Sequence, residues 1–394
     1  MERISLIKST FYNEEDTKRK LCDFIMDAKI LSMKTECEKF EQNFSKKQGR
    51  KYSVYVCNGS CANMLLIQSL LNMGIFHKGD KVFVSNLTWP TNVMPLIQLG
   101  LVPVFLDVEL ETLNVSSTIL KSAYEKHPDA KGLFLTNALG FCSDIDLIRE
   151  FCNSKDIVFI EDNCESLGSK YKGEMLGNYG LASTFSFFVG HHLSTIEGGM
   201  ICTDDEELYE NLKTSRSHGW TRNNSETFKQ KMRDENNVND FYDIYTFYNL
   251  AFNFRPTEIN GFIGNIQIQY WDEIVSKREE NFKKFFAALK ENKDLIPLKL
   301  EGMDIISNFG MPLIFKNRSL FEEYKQRFIE NNIEIRPIIA GDISKQPFMK
   351  DKKYFATEVP NSENIAQNGF YFGNNPEMTE EEIKRLTDLI KWQL

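Results

Sequence analysis

Apolar positions in the first fifty residues recur at helical spacing, with Leu21, Ile25, Ile30, Phe40 and Phe44 set among charged side chains. The spacing predicts a long helix within 13–47, a break near Ser32, and a second helix leading onward. From residue 53 the pattern changes to short β-branched and aromatic runs separated by amphipathic stretches. Ser53–Cys57, Lys81–Val84, Val102–Val108, Gly132–Thr136 and Ile157–Glu161 read as strands, and 60–73, 90–99, 116–126 and 143–153 as helices. Strands joined by helical crossovers predict an α/β fold with a mostly parallel sheet. After residue 162, Thr184–Phe188 and Gly199–Thr203 follow with no long helix between them, so the sheet is expected to be mixed.

Residues 221–250 are polar and aromatic with little periodicity, the pattern of a long functional loop. A helix at about 256–290 then leads to strands near 310–315 and 333–338 and helices at 318–331 and 380–392. Thr379 and Glu382 form a capping box at the start of the last helix. The expected division is a large domain with an N-terminal helical arm over 1–260. A linker helix and a smaller α+β domain would fill 261–394.

Composition narrows the function classes. The 394 residues are 42% apolar, enough for a substantial core, and the formal charge of −9 argues against a nucleic-acid backbone as partner. The longest apolar runs are strand-length, and Met1–Ser5 lacks the pattern of a signal peptide, so a cytoplasmic protein with no membrane partner is expected. Eight cysteines occur without a CxxC pair; Cys57 and Cys61 would suit zinc only if two more ligands converged, and no metal is expected.

Four places could carry chemistry. Asn58-Gly59-Ser60-Cys61-Ala62 ends a strand and opens a helix, which suits either a phosphate cradle or an ordinary N-cap. Glu161-Asp162-Asn163-Cys164-Glu165 ends a buried strand, where a carboxylate can pair with a protonated heterocycle or cap a helix. Trp89, before Pro90, could stack on a flat ring or pack in the core. Two of the chain's five histidines, His191 and His192, share a turn between Ser186 and Gly198-Gly199. They are an acid–base pair or a plain surface turn.

In order along the chain, the Gly-Ser turn, the aromatic plate, the strand-end aspartate and the Ser186–His191 turn form a set that resembles the DegT/DnrJ/StrS sugar-aminotransferase family. Those are pyridoxal-phosphate enzymes of the aspartate-aminotransferase fold (type I). The resemblance extends over nearly the whole chain, including Arg216-Ser217-His218-Gly219 and the run Asn253-Phe254-Arg255-Pro256-Thr257-Glu258-Ile259. It implies that Gly59, Ser60 and Ser186 hold the cofactor phosphate, that Trp89 stacks on the ring, and that Asp162 pairs with the ring nitrogen. Glu165, at a position where aminotransferases of the family commonly carry glutamine, is implied to bind the cofactor as well. Asn253 is implied to reach the phosphate of the other subunit in a homodimer with shared active sites. Arg255 and His218 are implied to meet substrate.

The departure is at His191, where the family's aminotransferases have the lysine that bonds the cofactor aldehyde. Histidine cannot form that bond, and it leaves an acid–base group expected to titrate near neutral pH. This departure resembles the sugar 3-dehydratases of the family. It implies pyridoxal 5'-phosphate alternating with pyridoxamine 5'-phosphate, L-glutamate as amino donor, and a nucleotide-linked 4-keto-6-deoxy sugar as substrate, GDP-4-keto-6-deoxymannose foremost. The product would be a 3-deoxy sugar for surface polysaccharide such as lipopolysaccharide O-antigen, with His191, Asp162 and His218 as catalytic groups. The alternatives are a nucleotide-sugar aminotransferase that tolerates histidine and a catalytically silent binding protein. CDP-sugar 3-dehydratases carry an iron–sulfur cluster on later cysteines, and here none follows Cys202. Lys34 stands where many members have glycine near the site entrance; it could meet a diphosphate or sugar hydroxyl, or face solvent.

Overall fold

The computed structural model describes residues 2–393. Its large sheet contains β1 (Tyr52–Val56), β2 (Lys81–Ser85), β3 (Val102–Leu106), β4 (Gly132–Thr136), β5 (Val158–Asp162), β6 (Ala182–Ser186) and β7 (Gly199–Thr203). A smaller antiparallel sheet is built from β8 (Gly310–Ile314), β9 (Ile335–Pro337) and β11 (Gly369–Gly373), while β10 (Phe355–Ala356) joins the edge of the large one. The spatial orders are β1-β7-β6-β5-β4-β2-β3-β10 and β8-β11-β9. Within the large sheet only β7 runs against its neighbours. The twelve-residue turn after β6 is too short for a helical crossover, so the chain must return antiparallel.

That return aligns the site. Val56 and Ser186 both pair with Gly199, which brings the end of β1 beside the end of β6. A side chain at Gly199 would put its Cβ 2.4 Å from the Asn58 carbonyl oxygen, so the close approach requires glycine. The C-terminal ends of β1, β2, β4, β5 and β6 therefore share one rim.

The expected strands and helices are present, with boundaries moved by a few residues. Two readings change, and one strand was missed. Residues 221–250 are not one loop but hold helices Glu226–Asn236 and Asp240–Asp243. The first buries only Phe228, so it has almost no apolar stripe to betray it. The helix expected at 256–290 is interrupted by a 3-10 turn at Ile268–Tyr270, between Glu258–Gln267 and Trp271–Glu291. The missed strand is β11, whose run Gly-Phe-Tyr-Phe-Gly is buried throughout and shows no alternation.

The two sheets share a continuous apolar core that runs from Phe83 and Leu106 to Phe370 and Leu386. Glu258 ties the N-terminal arm to the body. Its carboxylate accepts from the backbone N–H groups of Lys34, Glu36 and Cys37 at 2.6, 2.9 and 3.2 Å, capping the helix Thr35–Gln48. Beside it, a Cβ at Gly261 would stand 2.6 Å from the Cys37 backbone nitrogen. Gly261→Ala is therefore expected to cost about 1–3 kcal/mol, because backbone cannot step aside as a side chain can. A lowered denaturant midpoint with an unchanged m-value is the expected readout.

Candidate active site

The shared rim opens into a cavity of about 370 Å³ between the large sheet and the small one. Gly59, Ser60, Trp89, Asp162, Glu165, Ser186 and His191, all singled out from the sequence, line it together.

Asp162 ends β5 and is almost fully buried. One carboxylate oxygen accepts from the Asn63 and Asn92 amides at 2.9 and 2.8 Å, and the other from the Cys164 backbone N–H at 2.9 Å. The Asn63 amide is itself oriented by Thr184, which donates to its oxygen at 2.6 Å. Among the described residues no cation forms an ion pair with this carboxylate. It presents a fixed negative charge to the cavity.

The turn at Asn58 is held by its own side chain, which accepts from the Cys61 N–H at 2.8 Å and starts the helix Gly59–Asn72. A Cβ at Gly59 would come within 2.7 Å of the Ser186 Cβ, so only glycine lets the turn lie against β6. The helix N-terminus at Gly59 lines the cavity together with Ser60 and Ser186, a set of donors suited to a phosphate. Trp89 precedes the Pro90 that opens helix Pro90–Gln98 and is 55% exposed, so core packing is not its role.

His191 and His192 part company. His192 is buried, and its Nε2 lies 2.7 Å from the Ser307 carbonyl oxygen to which it donates. His191 lines the cavity and packs against the Phe309 ring at 5.2 Å. Its Nδ1 is enclosed, which leaves Nε2 to meet a ligand. Burial pushes His191 down to about 4, opposed by the Asp162 charge and reinforced by Arg278. This corrects the expectation of titration near neutrality: His191 is a neutral base at physiological pH. Glu165 moves the other way. Burial pushes it up to about 7, and Asp162 repels its charge, while the Leu139 N–H at 2.8 Å opposes the shift.

His218, Asn253 and Arg255 do not line this cavity. Ser217 and Asn253 form a β-bridge, Arg255 donates to the Asn253 side-chain oxygen at 2.8 Å, and the His218 ring packs on Trp220 at 5.0 Å. This second cluster lies next to an exposed apolar stretch that includes Phe241, Tyr245, Phe247 and Leu250. Lys34 is exposed and also lies outside the cavity. The remaining cavity wall includes residues that sequence reading missed, among them Asn92, Phe309, Arg336 and Tyr371. No motif marks the last three, which are brought in by the small sheet. Among the described residues no group of three or more His, Cys, Asp or Glu is placed to hold a metal, and no helix is long and apolar enough to cross a membrane.

Residues 13–391 match the model of the DegT/DnrJ/EryC1/StrS aminotransferase family. The chain is 36% identical over 378 residues to a GDP-4-keto-6-deoxy-D-mannose 3-dehydratase of Yersinia pseudotuberculosis, covering 93% of each chain. It is 34% identical to the enzyme of the same name from Escherichia coli O55:H7, covering 96% of this chain and 97% of that one. A crystal structure of GDP-4-keto-6-deoxymannose-3-dehydratase with a trapped PLP-glutamate geminal diamine superposes with a TM-score of 0.90 at 33% identity, over 98% of this chain and all of that one. A variant of that enzyme with bound GDP-perosamine gives the same TM-score at 32% identity, with the same coverage.

Proposed function

The chain belongs to the DegT/DnrJ/EryC1/StrS aminotransferase family, and on that footing we propose that it is a pyridoxal-phosphate-dependent GDP-4-keto-6-deoxymannose 3-dehydratase. The observation that carries this reading is His191, which stands in the cavity with Asp162 where the family's aminotransferases have a lysine.

The residues fit the cofactor. Gly59, Ser60 and Ser186 would hold its phosphate, Trp89 its ring face, Glu165 its ring edge, and the unneutralised Asp162 carboxylate its protonated ring nitrogen. When bound in its amine form, the cofactor supplies a nitrogen that bonds the sugar ketone and a ring that accepts electrons. Asp162 keeps a proton on the ring nitrogen. His191, neutral, takes a proton at Nε2 and as imidazolium delivers it to the departing C3 oxygen. Nothing in the turn can hold the cofactor covalently, which leaves the amine form free to react.

The finer assignments belong to the same proposal. L-Glutamate restores the amine, in keeping with the glutamate adduct of the related structure. The protein acts as a homodimer in which His218, Asn253 and Arg255 serve the partner's site; their placement outside their own cavity supports this, as does the apolar surface beside them. The parts 1–260 and 261–394 are the cofactor-binding and smaller domains, and the protein works in the cytoplasm.

Incubation with pyridoxal phosphate, glutamate and GDP-4-keto-6-deoxymannose is the test. Loss of oxygen from C3 with release of ammonia and 2-oxoglutarate is expected. A stable 4-amino sugar would make the protein an aminotransferase, and no turnover of any nucleotide sugar would make it a silent relative.

A further inference from the structure

The reaction uses His191 and leaves its neighbour His192 without a task, although His192 is only 5% exposed. Its Nε2–H donates to the Ser307 carbonyl at 2.7 Å. Among the described residues this is the one hydrogen bond between the turn 187–198 and the strip 307–309. Burial and the Arg278 charge hold His192 well below the usual histidine range, so it stays neutral and the link does not titrate near neutral pH.

The strip leads into β8 and carries Phe309, whose ring lies 5.2 Å from the His191 ring at 41°. Phe188 meets the same imidazole edge-on at 6.4 Å. Among the described residues the backbone within 188–194 makes a single internal hydrogen bond, from the His191 N–H to the Phe188 carbonyl at 2.8 Å. The turn by itself therefore does little to fix the imidazole. The strip, in contrast, is held on several sides. Arg278 donates to the Asn308 and Phe309 carbonyls at 3.2 and 3.4 Å and to the Asn374 carbonyl beside β11. The Ser307 and Phe309 N–H groups donate to the Ser169 hydroxyl and the Leu139 carbonyl, each at 3.0 Å.

We propose that His192 is a positioning residue for proton transfer: it fastens the histidine turn to the strip 307–309 and so sets Phe309 against the His191 imidazole. The proposal rests on the reading of His191 as the base. The two histidines are adjacent, so slack of about 1 Å at Ser307 passes to the reacting ring, a misplacement large enough to slow catalysis. Loosening also admits water to a ring that burial keeps neutral, which raises its affinity for protons. Asp162, Cys164, Glu165, Arg336 and Tyr371 are the titratable or charged groups that share its cavity. His192, Arg278, Glu377 and Tyr12 share the small space behind the turn. Replacing neutral His192 by leucine alters none of these charges, so a change in His191 titration reports on packing and water.

The test has two readouts. The first is NMR titration of the cofactor-free protein, where only five histidines need assignment. His191 is expected at about 4 in the parent and in His192→Gln, whose amide can still donate to Ser307. In His192→Leu and in Phe309→Leu it should move up toward about 6.5. The second is dehydration kinetics. His192→Leu should lower kcat at least about tenfold with sugar KM and pyridoxal phosphate affinity near the parent's, and His192→Gln should retain most of the activity. The double variant with Phe309→Leu should be little slower than the slower single one. An unmoved titration in His192→Leu, a glutamine variant as slow as the leucine one, or additive losses in the double variant each overturn the proposal. Phe309→Leu leaves the turn intact and decides the matter by its titration should His192→Leu not fold. A parent that dehydrates no nucleotide sugar would overturn the proposed function instead, with the titrations still deciding whether His192 positions His191.

Discussion

Replacing His191 with glutamine is expected to lower nucleotide-sugar turnover by about 10²–10⁴-fold, a barrier increase of about 3–5 kcal/mol, while the protein still folds and binds pyridoxal phosphate. Glutamine has similar bulk against Phe309 but no nitrogen that can take and return a proton. The readout is kcat for the dehydration together with cofactor affinity. Unchanged kcat would remove His191 from proton transfer; lost cofactor binding would make it a structural residue. Its protonation adds a second expectation for the cofactor-free protein. Folded His191 titrates at about 4 and the unfolded side chain near 6.5, so between these values the unfolded chain binds more protons. Stability therefore falls as pH drops through that window. His191→Gln lacks this contribution, and its melting temperature should decline less between pH 7 and pH 5 than that of the parent.

Glu161→Ala is expected to destabilise the fold by on the order of 3–5 kcal/mol, although Glu161 is the immediate neighbour of a residue assigned to the cofactor. Glu161 is completely buried, and its carboxylate accepts from the Asn137 amide and from the backbone N–H groups of Gly177, Tyr179 and Gly180, at 2.8 to 3.0 Å. Alanine strands four buried donors. Glu161→Gln recovers only part of the loss, since its amide NH₂ must face donors. Urea unfolding of the cofactor-free protein measures the effect, with Asp162→Asn as the comparison: that variant, whose amide NH₂ must face at least the Cys164 N–H, should lose less stability than Glu161→Ala and should lose cofactor affinity. A Glu161→Ala protein as stable as the parent would mean the loop at 177–180 has other support.

The pair also marks where reading the chain reached its limit. Glu161 and Asp162 look interchangeable in sequence as strand-end carboxylates. Successive strand residues point to opposite faces, so one turns toward the 177–180 loop and the other toward Asn63 and Asn92. Trp89 was likewise ambiguous until its exposure ruled out the core.

Local chemistry was written in the chain itself. Strands alternating with helices dictate the layered α/β sheet, small residues at Asn58–Ser60 dictate a turn the backbone can bring against β6, and histidine at 191 excludes a covalent bond to the cofactor aldehyde, because these properties belong to the residues and their neighbours. The protonation state of His191 does not, for it depends on how much water the surrounding side chains exclude and on the charges of Asp162 and Arg278. Nor do Phe309, Arg336 and Tyr371, which carry no motif and reach the cavity only because the small sheet packs on the large one through a shared core. Burial and long-range packing are sums over distant parts of the chain, and only the folded protein adds them up.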